Sequence, residues 1–203
     1  TGQASLPFFS RLFGEKRLVE FAQTVNGSVY RIVAASLLAT SWMVAVAYPL
    51  VDLVYRRGKF DLADSQLTSL YFFCFSLSLL FWAAQGLYAR AFYAAGDTLT
   101  PMIAGTLITI ASLPIYSLLF RTYSVLGLAI ASNVGILANT LIAAWLLDRR
   151  KLVPLSQLNW KEIGKAALTA VVAGWLSLEV SHLIPTGDGR KGDLLTLALA
   201  SLT

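Results

Sequence analysis

Glu179 and His182 stand three residues apart near the end of an apolar run. That spacing places both on one face of a helix. A carboxylate beside an imidazole inside a membrane could relay protons; the same pair at the bilayer surface would simply be solvated. Gly127, Ala131 and Gly135 recur every fourth residue, with Asn139 one turn further. Small residues on one stripe let membrane helices approach closely. The sharper reading is that Ser132, Gly135 and Asn139 line a polar cavity. Thr106, Thr109, Ser112 and Ser117 surround Pro114. Hydroxyls in such helices usually bond their own backbone, and the proline frees a carbonyl. There is no nucleophile paired with a base, no phosphate-cradling loop and no spaced set of metal ligands. The single cysteine, Cys74, excludes an intrachain disulfide. Neither an enzyme nor an organic cofactor is expected.

The elements that carry these residues are apolar. Of 203 residues, 57% are hydrophobic and 13% charged. Predominantly apolar runs near 20 residues long are long enough to cross a bilayer. Spans are expected over 32–54, 67–89, 102–120, 125–147 and 166–184, with a shorter apolar run at 194–203. The fold class is therefore all-α, a polytopic helical membrane protein with five complete transmembrane helices plus a truncated sixth. The chain opens on Thr1 and closes within an apolar run, so it is read as a piece of a longer protein. Residues 1–28 form a cytoplasmic or interfacial amphipathic segment, because Leu18, Ala22, Val25 and Val29 share a helical stripe. Such a stripe suits either the membrane surface or packing on other segments. Four transmembrane helices fill 29–147, a cytoplasmic linker 148–164, and a further helix pair 165–203.

The stretch GLYARAFYAAGDTLTP, 86–101, separates the second and third spans. Arg90 suits the negative end of a helix, and Gly96 can take the left-handed conformation that stops one. Asp97 lies in the turn, Thr100 can cap the next helix, and Pro101 suits its first turn. Basic residues flank the spans unevenly. Ten of the sixteen lie on the side of this turn, which places it in the cytoplasm. The formal charge of +5 therefore points to topology and to contact with membrane lipids, not to nucleic acid.

RGKF at 57–60, ARAFYAAGDTLTP at 89–101 and GLAIAS at 127–132 together carry a resemblance. The chain resembles the MurJ/MviN family of lipid II flippases, within the superfamily of multidrug and polysaccharide-lipid exporters. The resemblance implies the second lobe of a fourteen-helix flippase in the bacterial inner membrane. It implies alternating-access transport of a lipid-linked peptidoglycan precursor, with cell-wall synthesis proteins as partners. A flippase for another polyprenyl-linked glycan, a drug exporter, or a non-transporting scaffold for cell-wall enzymes are the other readings. The resemblance also implies a sodium site on Ser112, Tyr116 and Ser132, with a backbone oxygen near Leu128. Tyr116 stands where an acid or amide is common in the family.

Overall fold

The computed structural model describes residues 5–56 and 58–183. Among these the chain is helical, with short turns: α1 (Ser5–Gly14), α2 (Leu18–Tyr55), α3 (Leu62–Ala94), α4 (Leu99–Arg149) and α5 (Trp160–Leu183). A single 3-10 turn, Leu155–Gln157, lies in the linker. Three helices, α2, α3 and α4, are long and apolar enough to cross a membrane. The short run at 194–203 and the turn before it lie outside the described residues.

The amphipathic segment and the first expected span are one continuous helix, α2. Its stripe does not face outward. Phe21, Ala22, Val25 and Val29 are buried, while Leu18 is exposed. Phe21, Val25 and Val29 pack with Phe9 and Leu12 of α1, Leu87, Tyr88, Ala91 and Phe92 of α3, and Leu147 of α4. These contacts cover the stripe with other segments of the chain. Periodicity reports that a face is apolar, not what covers it.

Helices α2 and α3 form an antiparallel hairpin. Gly58 turns it with φ +62°. Asp61 and Asp64 then start α3 with a reciprocal capping box. Thr40 Oγ1 donates to the Ser76 carbonyl at 3.1 Å across the pair. In apolar surroundings such bonds hold helices in register.

Helix α4 counts 51 residues. Straight, it would run roughly 77 Å, over twice the ~30 Å hydrocarbon core. It is not straight: Ser124, at φ 55° and ψ −134°, breaks the helical backbone. A Cβ on Gly127 would overlap the Leu119 carbonyl, so the chain passes itself there with no room for a side chain. A Cβ on Gly105 would lie 3.7 Å from Asn139 Nδ2. The two arms, 99–123 and 125–149, therefore run back alongside each other. The second arm is fixed to α3 by Asn133 Nδ2 donating to the Cys74 carbonyl at 2.7 Å and Thr140 Oγ1 to that of Phe81 at 3.1 Å.

The linker is built into the core rather than left loose. Val153 and Leu158 are buried. Asn26 Nδ2 donates to the Pro154 carbonyl at 3.0 Å, and Asp148 Oδ1 accepts from the Leu155 N–H at 2.8 Å. Helix α5 then lies along α2, where Gly174 passes close to Ser41.

Candidate functional site

A cavity of about 390 Å³ lies between the arms of α4 and α3. The first arm contributes Thr109, Ser112 and Tyr116, and the second Ser132, Gly135 and Asn139, with Trp82 of α3 at the wall. Ser112 Oγ donates to the Thr109 carbonyl at 2.8 Å, and Thr109 Oγ1 to that of Gly105 at 2.9 Å. Both protons are thus spent on their own helix, leaving lone pairs for the cavity. The stripe of small residues divides along its length. Gly127 makes a close backbone approach, Ala131 is buried, and Gly135 has open space beside it. Leu128 does not line the cavity.

At one end of the molecule the arms of α4 are clasped. Gly96 adopts φ +77° and ends α3. Thr98 occupies the cap position of α4 without a side-chain bond; the cap is made by Asp97, whose Oδ1 accepts from the Thr100 N–H at 2.9 Å. Pro101 falls in the first turn, where its missing N–H costs nothing. Thr100 does not cap the helix by its side chain. Its hydroxyl instead accepts from Arg150 Nη2 at 2.7 Å, while Arg150 Nη1 pairs with Asp97. The Arg150 guanidinium also sits 5.8 Å over the Phe92 ring. Burial pushes the Asp97 carboxyl up, but donation from the Thr100 N–H and hydroxyl and from Arg150 outweighs it, leaving the group below its ordinary value.

Arg90 does not close its helix, since α3 continues to Ala94. It borders a second cavity, of about 580 Å³, together with Arg31, Ser5 and Ser28. Both arginines are among the basic residues on the Gly96 side of the spans. They stand on different helices, and only the register of the α2–α3 hairpin brings them together. Glu179 is exposed on α5, and the side chain of its expected partner His182 lies outside the described residues.

Residues 2–189 match the family model described as lipid II flippase MurJ. The chain belongs to the MurJ family. It is 28% identical over 175 residues to a probable lipid II flippase MurJ of Synechocystis, covering 84% of this chain and 32% of that protein. A probable MurJ of Bdellovibrio bacteriovorus is 24% identical over 204 residues, covering 99% and 38%. The chain thus spans about a third of the length of these MurJ relatives. A solved lipid II flippase MurJ in an inward closed conformation superposes with a TM-score of 0.73 at 19% identity, over 100% of this chain and 40% of that one. The shared fold is that of MurJ.

The MurJ resemblance implies sodium at Ser112, Tyr116, Ser132 and Leu128. The first three line one cavity, but no carboxylate joins them. Among the described residues no cluster of His, Cys, Asp or Glu could hold a metal ion. Neutral hydroxyls offset little of the cost of stripping water from a cation. Ser112, Tyr116 and Ser132 offer only neutral oxygens to this cavity.

Proposed function

We propose that this chain forms part of a lipid II flippase of the bacterial inner membrane, working by alternating access. The observation that carries the reading is the match to the MurJ family over residues 2–189. The physical task is to carry a pyrophosphate and sugars past hydrocarbon while the lipid tail stays in it. A polar path between helices serves the headgroup, and relative rocking of two bundles exposes it to each side in turn.

In this reading the arms of α4 count as two spans. With α2, α3 and α5 they make five, and 194–203 belongs to a sixth. The first four complete the second lobe, residues 148–164 are a cytoplasmic linker, and 165–203 begin a further helix pair. Ser132, Gly135 and Asn139, with Thr109, Ser112 and Tyr116, give the lobe a neutral polar wall that suits sugar hydroxyls and amides better than phosphate. The clasp of Asp97, Thr100 and Arg150 holds the cytoplasmic end of the lobe as one body, which rocking requires. Partners in cell-wall synthesis follow from the same substrate.

The test is complementation. Expression of the full-length gene that contains this chain's coding sequence, in a bacterium depleted of its own lipid II flippase, should restore growth, cell shape and lipid II translocation. Stable membrane insertion without any recovery of translocation would defeat the reading.

A further inference from the structure

The cavity that holds Arg31 and Arg90 is a different one from the hydroxyl-lined cavity, with Trp82 on the wall of both. It opens between α1, α2 and α3, at the end of the molecule that carries the Gly96 turn. Among the described residues neither arginine has an ion-pair partner or a hydrogen bond, whereas the ion pairs of the chain engage Arg11, Arg17, Arg56, Arg150 and Lys165. Arg31 is exposed and Arg90 half-buried, and two like charges at one cavity repel each other, so they favour a bound anion.

The rest of the lining says what carries that anion. Below Arg90 the α3 wall runs through Leu87, Gly86 and Ala83 to Trp82, with Ile32 opposite on α2. Trp82 lies eight positions before Arg90, so the apolar floor extends roughly 12 Å along the helix. Gly86 has nothing within 4 Å of where its Cβ would stand, which keeps the slot open. The cavity is therefore cationic at its rim and apolar beneath. A free phosphate would use only the rim; an acyl chain would use the floor. Basic pockets between transmembrane helices near the membrane surface suit anionic headgroups in this way.

We infer that this slot is a resident-lipid site for an anionic phospholipid, its phosphate held by Arg31 and Arg90 and one acyl chain lying over Gly86 and Ala83 toward Trp82. The guanidinium forks take the phosphate oxygens, and the Ser28 hydroxyl is placed to add a donor.

The experiment uses the purified chain in detergent, titrated with phosphatidylglycerol. Saturating lipid should raise the melting temperature by about 4 °C or more. Phosphatidylcholine and inorganic phosphate should each give under a quarter of that rise. The Arg31→Gln/Arg90→Gln variant should melt like the parent without lipid and lose the phosphatidylglycerol shift. Arg121→Gln, a cation outside this cavity, should keep it. Should the double variant fail to fold, brominated phosphatidylglycerol decides: it should quench the parent's fluorescence more than that of Trp82→Phe. A full shift in the double variant, equal quenching with and without Trp82, or an equal shift from inorganic phosphate would each overturn the proposal. So would a shift given by a polyprenyl phosphate and not by phosphatidylglycerol.

Discussion

Gly127 and Gly135 look alike in the sequence and do different work. A Cβ on Gly127 would overlap the Leu119 carbonyl, a backbone atom that cannot swing aside. Gly127→Ala should destabilise the chain by about 1–3 kcal/mol through overpacking. Gly135→Ala adds a methyl into open space within a helix and should be neutral or stabilising by up to about 1 kcal/mol. Melts in the same detergent compare the two; equal losses would refute the assignment of Gly127 to a backbone crossing.

Asp97 carries a pH dependence with a definite sign. Its carboxyl is held below its ordinary value in the fold. The stability it contributes is therefore present above the unfolded carboxylate range, about pH 4, and is lost as pH falls through the lower folded value. Asp97→Asn should lower the melting temperature at neutral pH and flatten the decline on acidification below about pH 4. An unchanged acid limb in the variant would remove Asp97 from the clasp. Sodium offers a sharp negative at this scale. Replacing potassium by sodium should leave the melting temperature of the chain unchanged, and Ser132→Ala should not alter that result. A sodium-specific rise abolished by Ser132→Ala would show that the neutral oxygens suffice.

Among the elements, the turns decide topology. The Gly96 turn and the Gly58 turn lie at opposite ends of α3, a helix long enough to span the membrane. With the excess of basic residues on the Gly96 side, that turn should be cytoplasmic and the Gly58 turn periplasmic. Leu99→Cys and Lys59→Cys, each in a Cys74→Ala background, test this; both positions are exposed, and neither belongs to the Asp97 clasp. An impermeant thiol reagent added outside should label Lys59→Cys and spare Leu99→Cys. The reverse pattern would invert the orientation of the whole bundle.

The molecule as a whole spans about a third of the relatives it matches. Alternating access needs two bundles that rock about a shared cavity. In the proposed reading this chain holds one side of such an arrangement. Its hydroxyl-lined cavity presents no cation to a pyrophosphate, so desolvation of the headgroup there would go uncompensated. Reconstituted alone in liposomes, the 203-residue chain should therefore translocate lipid II no faster than protein-free vesicles. Robust translocation by it alone would mean that one bundle suffices.

The apolar runs settled the class of the protein without any coordinates, because a bilayer demands internally bonded helices of a minimum length. The Gly96 turn was equally legible, since φ +77° needs glycine and the helix after it needs a cap. Even there, which residue caps was decided by geometry: Asp97 faces the Thr100 N–H and Thr100 faces Arg150. Other features had no local signature. The reversal of α4 falls on Ser124, neither glycine nor proline, and is held by contacts between its arms. The stripe from Phe21 to Val29 was plainly apolar, but its cover is made of residues far along the chain. Nothing in the sequence joins Arg31 to Arg90. Only the pairing of α2 with α3 sets them at one cavity, because a site shared between helices depends on register, and register is a property of packing rather than of either strip of sequence.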